Sequence, residues 1–366
     1  MNKKDVLEIR KRMTRENCTF TRMCGCYVDA DKNIVAKNSG TFLNLDDEEL
    51  FKYLNLAKGV LKGALNDNLL NLPEKEEDET KRFMLALRDN RLKGEEMLDA
   101  FYDQIIDSYD YVGSYLILVF HDVYDVMTKT TDNNKLDESE DVYEYLLCAI
   151  CPVKLTNPGL AYDEKRNDFV NRVRDKIVEA PRNGFIYPAF TDRKEDRDTM
   201  LFYTKDTSIP HRELAQTLGF DGKLTATEQR DKFKIVITQV VGDSEQKVKQ
   251  YEDFHRKLND KLEDTAKKEM ERTEQQKLTL GILADTMEAS GFEKEEIEAV
   301  QQSYRANFKE TPEIAAIVDE KAVKESVKRD TAEAMKRLLK RAGKEIETLS
   351  GGETELTERI KAVTGE

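Results

Sequence analysis

Tyr111-Val112-Gly113-Ser114-Tyr115-Leu116-Ile117-Leu118-Val119-Phe120-His121-Asp122-Val123-Tyr124 is the most apolar stretch of a very polar chain. Residues 115–120 are six large apolar or aromatic side chains without a break. A continuous apolar run, rich in β-branched and aromatic residues, predicts a strand buried on both faces. A second run, Tyr143-Glu144-Tyr145-Leu146-Leu147-Cys148-Ala149-Ile150-Cys151, stops at Pro152. It predicts the neighbouring strand, antiparallel across a polar segment at 128–141 that is too hydrophilic to be buried.

Outside these two runs the chain must supply cover. Its 366 residues are 39% apolar and 36% charged, with 73 acidic against 59 basic side chains and a net charge of -14. That length has room for two domains, or for one large core with an appendage. The negative balance argues against a whole-molecule grip on nucleic acid or an anionic membrane, while a local basic patch could still do either. No Trp occurs, so any stacking platform must use Tyr or Phe. Met1-Asn2-Lys3-Lys4-Asp5-Val6 is charged with no apolar run behind it, so no signal peptide is expected. No stretch approaches the ~20 residues of a membrane span. Five scattered cysteines fit reduced thiols, and the expected location is the cytoplasm.

Taken in order, residues 2–14 predict a short basic amphipathic helix with Val6, Ile9 and Met13 inward. Residues 18–28 alternate as a strand, Asp29-Ala30-Asp31-Lys32-Asn33 is turn chemistry, and Ile34-Val35-Ala36 starts a return strand. Asp46 or Asp47 caps a helix carrying Leu50, Leu54, Ala57, Leu61 and Leu65. An acidic patch at 74–79 reads as a solvated loop or helix entry, and helices follow near 80–92 and 95–108. Residues 162–180 read as a charged helix or long loop. The runs 184–190 and 199–204 form a hairpin around a charged tip, with Pro188 marking an edge or bulge. A helix from about 210 ends at Gly219, and Thr225-Ala226-Thr227-Glu228 is a capping box for the next one.

After Gly242 the character changes. Residues 243–277 carry a thin stripe, Val248, Tyr251, Phe254, Leu258, Leu262 and Met270, amid alternating charge. Two helices broken at Ser290-Gly291 follow. A last helix from about 313 to 349 puts Val323, Val327, Ala334, Leu338, Ala342, Ile346 and Leu349 on one face. Phe308 is the final aromatic residue, so this tail is expected to pack on a partner helix or on itself.

Candidate chemistry is sparse. Cys18, Cys24 and Cys26 lie at even offsets and would share one face of a continuous strand. Zinc wants four ligands as close pairs, and Cys148 and Cys151, three apart in a strand, point to opposite faces. Small buried residues in a sheet is the preferred reading. A reactive thiol near Arg22 lacks a local His. Asp29-x-Asp31-x-Asn33 copies the start of a calcium loop, but the sixth position is Ile34 and the twelfth Gly40, so a turn explains it. His121-Asp122 matches the dyad of HD-type phosphohydrolases, yet no His precedes it, and the chain has only His121, His211 and His255. The chain has no Gly-x-Ser-x-Gly elbow, phosphate-binding Gly-Lys loop or dinucleotide fingerprint. Ser350-Gly351-Gly352 reads as a hinge. Within 321–344, nine basic residues (Lys321, Lys324, Lys328, Arg329, Lys336, Arg337, Lys340, Arg341, Lys344) stand against Glu325, Asp330 and Glu333. That excess could track a phosphate backbone or complement acidic helices.

The segment Asn17-Cys18-Thr19-Phe20-Thr21-Arg22-Met23-Cys24-Gly25-Cys26-Tyr27-Val28 resembles the opening of a bacterial family known as a domain of unknown function, of the anaerobic Gram-positive type. Later landmarks agree: the strand through His121-Asp122, Cys148 to Pro152, Gly184-Phe185-Ile186-Tyr187-Pro188-Ala189-Phe190 and the capped helix after Thr225. The resemblance covers residues 1 to about 310, and the final helix departs from the β-rich ending it implies. It implies a bacterial cytosolic protein and carries over no catalytic residue. A fainter similarity in layout, to nucleoid-associated proteins, adds to the nucleic-acid alternative.

The expected architecture is α+β. A mixed, mostly antiparallel sheet from residue 17 to about 205 is covered by helices within a core domain at 1–242, and an extended helical region occupies 243–366. The expected function is a non-enzymatic interaction or assembly role for the helical half, by self-association or a protein partner and without a membrane. Nucleic-acid binding through 321–344 is the alternative, and a hydrolase-like site near His121, Asp122 and Arg22 is the third. No catalytic, cofactor or metal residue is assigned.

Overall fold

A computed structural model describes residues 1–41, 45–75, 79–126, 141–172, 174–268 and 276–365. Half of the acidic patch at 74–79, nearly all of the polar segment at 128–141 and Met270 lie outside the described residues. The chain packs as two units, Met1–Thr225 and Ala226–Glu366.

The first unit is built on the quoted strand. Its main sheet contains β1 (Phe20–Val28), β2 (Ile34–Gly40), β3 (Leu69–Pro73), β4 (Tyr115–Val126) and β5 (Asp141–Leu155). The chain then forms a separate hairpin, β6 (Gly159–Asp163) with β7 (Asp168–Arg172), before β8 (Lys176–Val178) returns to pair with the end of β5. β9 (Asn183–Tyr187) leads into a second small hairpin, β10 (Ala189–Thr191) with β11 (Lys194–Asp196), and β12 (Thr199–Thr204) closes the series. The main order is β2-β1-β4-β5-β9-β12-β3, with every strand pair antiparallel. The two apolar runs are therefore the central pair, joined in register from Tyr115↔Pro152 to Val126↔Asp141.

Both faces of that pair are covered, as a continuous apolar run requires. Tyr115, Ile117 and Val119 face one core with Leu146, Cys148 and Ile150. This side is covered by α3 (Glu79–Asp89), α4 (Glu95–Ser108) and α5 (Glu213–Thr217), through Met84, Leu87, Phe101, Ile105 and Leu214. Leu118, Phe120, Tyr143, Tyr145 and Leu147 face a second core, under α1 (Lys3–Arg12) and α2 (Asp47–Gly59). Val6, Ile9 and Met13 are its inward stripe, and Asn2 closes α1 with a capping box. Asp46 caps α2, accepting from the Glu49 N–H at 2.8 Å.

Two local readings change. The described residues of 162–180 form no helix: Tyr162 pairs across from Phe169, their rings 5.6 Å apart, and Asp163 to Asn167 make the turn. The charge that looked like a helix face is the hairpin tip. The even spacing of Cys18, Cys24 and Cys26 also fails to put them together. β1 begins only at Phe20, and a bulge lies between Phe20↔Asp122 and Arg22↔His121. One extra residue inverts the side-chain phase, so Cys18 packs in the α1/α2 core while Cys24 and Cys26 face α4.

The second unit is helical: α6 (Ala226–Val241), α7 (Glu245–Lys268), α8 (Leu280–Ala289), α9 (Lys294–Asn307), α10 (Ile314–Ile317), α11 (Glu320–Ser350) and α12 (Glu355–Thr364). Phe233 and Ile237 of α6 sit in its core with Phe254, Leu258, Leu283, Met287, Val300, Tyr304, Ile314 and Ile317. That burial is why α6 belongs with this unit, although composition changes only after Gly242. The break at Ser290-Gly291 is present, with Gly291 at φ 85°. The single helix expected from 313 is divided at Val318-Asp319, where Asp319 accepts from the Lys321 and Ala322 N–H groups and starts α11. Gly351, at φ 70°, ends α11 as a left-handed cap and turns the chain into α12, in place of a hinge. Among the described residues, no helix is long and apolar enough to cross a membrane.

Candidate functional site

His121 and Asp122 are adjacent in sequence and separated by the thickness of the sheet. Consecutive strand residues point to opposite faces, so His121 lies on the α4 side and Asp122 on the α1 side. Two different polar centres result.

On the first face, the bulge at Thr21 aims a hydroxyl at the His121 ring. Thr21 Oγ1 lies 2.6 Å from Nδ1, and Nε2 lies 2.8 Å from Glu144 Oε1. A carboxylate can only accept, so Nε2 carries the proton and Nδ1 accepts from the threonine. The imidazole has no exposed surface. Burial pushes its pKa down, against the opposing pull of Glu144. The ring is thus held neutral within a hydroxyl–imidazole–carboxylate chain, and Arg91 reaches Glu144 at 3.6 Å. Arg22 is the cross-strand neighbour of His121, and its Nε is buried without a hydrogen bond. Such a chain can polarise the Thr21 hydroxyl. A substrate would have access to Thr21, which is exposed, and none to the imidazole.

On the other face Asp122 is buried and accepts three hydrogen bonds: from Thr19 Oγ1 and Tyr145 OH, each at 2.6 Å, and from the Val123 N–H at 2.9 Å. Burial holds the Tyr145 phenol protonated far above its usual range, so it remains a donor. Tyr143 stacks on Tyr145 at 4.6 Å. Arg12 lies 3.5 Å above the Tyr124 ring and donates to Thr19 Oγ1 at 2.6 Å. The three groups suggested by the sequence therefore do not converge: Arg22 joins His121, and Asp122 stands apart with Arg12, Thr19 and Tyr145. Thr21 and Glu144 were missed, because a one-residue bulge and a cross-strand register have no local signature.

The thiols are held neutral. Burial pushes Cys18 and Cys26 up to about 11 and Cys151 to about 12, and it outweighs the Arg22 contact at Cys24. Cys148 and Cys151 lie on opposite faces of β5. Among the described residues, no three His, Cys, Asp or Glu side chains gather where they could hold a metal ion. Asp29-x-Asp31-x-Asn33 is a turn: Asp29 Oδ1 accepts from the Asp31 and Asn33 N–H groups at 2.9 and 2.8 Å. His211 is paired with Glu213 at 2.9 Å, and His255 is buried in the helical unit.

The other candidate surface is α11. Its first turns are clamped to α7: Arg329 pairs with Glu252 and with Asp253 at 2.6 Å, Arg256 with Asp330, and Ser326 donates to Asp253 at 2.8 Å. Its last turns pack on α12, where Gly343 lets Ile360 approach. The buried residues of α11 are Ala322, Ser326 and Gly343. Of the stripe read from the sequence, Val323 packs against the helical core and Ile346 is half-buried, while Val327, Leu338 and Leu349 lie on the other side, with Met335 beside them. Val327, Met335, Leu338 and Leu349 are 49%, 58%, 60% and 87% exposed. Arg341, three residues from Leu338, borders this stripe by helical spacing, and Arg337 is about a quarter turn from Leu338, whereas Lys336, Lys340 and Lys344 lie toward the other side of the helix.

No curated protein matches the chain. A family model does, over residues 1–350, and it runs past residue 310 to include α11, which the resemblance had left outside. The chain belongs to the family described as Domain of unknown function (DUF4317).

Proposed function

We propose that the chain is an interaction protein of the cytoplasm whose α11 docks a helix of a protein partner. The observation that carries this reading is the exposed apolar stripe from Val327 to Leu349, roughly 33 Å long at the α-helical rise. A 31-residue helix that leaves Val327, Met335, Leu338 and Leu349 in water is short of a partner. Arg341 beside the stripe, with Arg337 further round the same side, favours a partner helix with an acidic flank there. Two copies of α11 meeting at their centres would oppose Arg337 and Arg341 to their own kind. The five free thiols fit a reducing compartment.

Light scattering on the full chain beside Val327→Glu/Leu338→Glu tests this, together with anisotropy of a helical peptide carrying a Leu heptad and Glu flanks. Peptide binding that the variant loses supports α11 as the docking surface of a partner helix. A species heavier than the 42.2 kDa chain that the variant returns to monomer makes the occupant a second copy and overturns the partner. A monomer that ignores the peptide sinks the reading.

A second reading, nucleic-acid binding, rests on the basic run of α11 without needing the stripe. Arg329 is spent on Glu252 and Asp253 and Arg337 pairs with Glu333, and the reading is tested at Lys336, Arg337, Lys340 and Arg341. Duplex binding should then weaken steeply with salt, and neutralising those four should flatten the slope by about one counterion each. Unchanged binding in that variant removes the alternative.

A further inference from the structure

The relay from Thr21 through His121 to Glu144 has the parts of an activated nucleophile at hydrogen-bonding distance. Thr21 Oγ1 lies 2.6 Å from Nδ1, and Nε2 lies 2.8 Å from Glu144 Oε1. With the proton on Nε2, the Nδ1 lone pair faces the threonine hydroxyl and is placed to take its proton. Thr21 is the extra residue of the bulge in β1, and it is exposed. The group that would react is therefore carried at the surface, and its base lies beneath it.

The surroundings of the ring decide which reaction suits the hydroxyl. The imidazole has no exposed surface, while Glu144 is 25% exposed. An imidazolium formed there has a carboxylate at 2.8 Å to offset its charge, yet burial still pushes its pKa down and leaves a weak base. A weak base calls for a reactive acyl carbon. The same burial keeps the Nδ1 proton from the leaving group, which must then be stable as an anion. After transfer, the ring aims no lone pair at solvent. No base activates an incoming water, and the ester persists.

We propose that Thr21 is an acylation site, taking its acyl group from a donor with an anionic leaving group (a thioester or an acyl phosphate) and holding it as a stable ester. The bond formed joins Thr21 Oγ1 to the acyl carbon. The bond broken joins that carbon to the leaving group, which departs with the electron pair. The hydroxyl proton goes to His121 Nδ1, and Nε2 gives one up through Glu144 to water. Thr19 is the comparison within the chain. It is also exposed, but its hydroxyl donates to the Asp122 carboxylate and accepts from Arg12, each at 2.6 Å, with no imidazole.

The test is incubation of the full chain with p-nitrophenyl acetate, reading p-nitrophenolate release and locating the acetyl group by peptide mass spectrometry. A burst of one equivalent per chain is expected, with acetyl on Thr21 and none on Thr19. Thr21→Val, nearly the same shape, should lose the burst, and Thr21→Ser should keep it. Glu144→Gln should slow it by at least about tenfold. Acetyl phosphate and an S-acetyl thioester then separate the two sources: labelling of Thr21 by either supports the proposal, and labelling by neither overturns it. Equal labelling of Thr19 and Thr21, a burst that Thr21→Val keeps, a rate that Glu144→Gln leaves unchanged, or turnover with no ester at Thr21 also overturns it.

Discussion

At the scale of single residues, the buried polar groups are the places where this protein is most vulnerable. Asp122 depends on three donors, and Tyr145→Phe removes one without changing the packing volume. Chemical denaturation should show a loss of about 1–3 kcal/mol, the penalty for underpairing a buried acceptor. His255 makes a prediction in pH. It is fully buried, accepts at Nδ1 from the Asp319 N–H at 3.1 Å, and burial pushes its pKa from 6.5 to about 3. As pH falls below 6.5 the unfolded chain takes up this proton and the folded chain refuses it. The stability is complete above pH 6.5 and lost progressively toward pH 3, by about 2 kcal/mol at pH 5. His255→Asn keeps an acceptor and removes the titration. Its urea-unfolding free energy should vary less between pH 7 and 5 than that of the wild type. None of these partners was legible beforehand. The sequence presents His121-Asp122 as a pair, and only the alternation of the strand separates them, giving one to Glu144 and the other to Tyr145.

Elements show the converse, since most of them were legible. β4 and β5 were marked by their unbroken apolar runs, α1 by its amphipathic stripe, and α2 and α8 by residues that cap or stop helices, because those signals act within a few residues. The hairpin of β6 and β7 was missed because its charged turn outweighed a short alternation. Close approach was also invisible. A Cβ at Gly184 of β9 would lie 2.4 Å from the Cys148 carbonyl oxygen and 2.9 Å from Val60 Cγ2, whereas Gly40 of β2 has nothing within 4 Å. Thermal melts should therefore find Gly184→Ala destabilised by about 1–3 kcal/mol or more, the scale of overpacking in a closed core. Gly40→Ala should be close to neutral.

For the whole molecule, charge governs behaviour in solution. At -14 the chain repels its own kind at neutral pH, and that protection fades toward the isoelectric point near 5.1. Light scattering should show association setting in as pH falls toward 5. Val327→Glu/Leu338→Glu, which breaks the exposed stripe, should delay it; onset at the same pH would mean that another surface, such as Leu160, Tyr162 and Phe169 on the outer hairpin, is responsible.

What the sequence by itself determined is what local chemistry controls: two strands apolar enough to need cover on both faces, the helices that supply it, and a stripe of seven residues on the last long helix. Only the tertiary structure decided which way things point. The bulge at Thr21 reversed the phase of β1, the sheet put His121 and Asp122 in different cores, and the packing of α11 on α7 turned Val327, Leu338 and Leu349 of its stripe outward while Val323 went inward. Periodicity specifies that a face exists. Which face is buried depends on contacts between residues far apart in the chain, and those are made only when it folds.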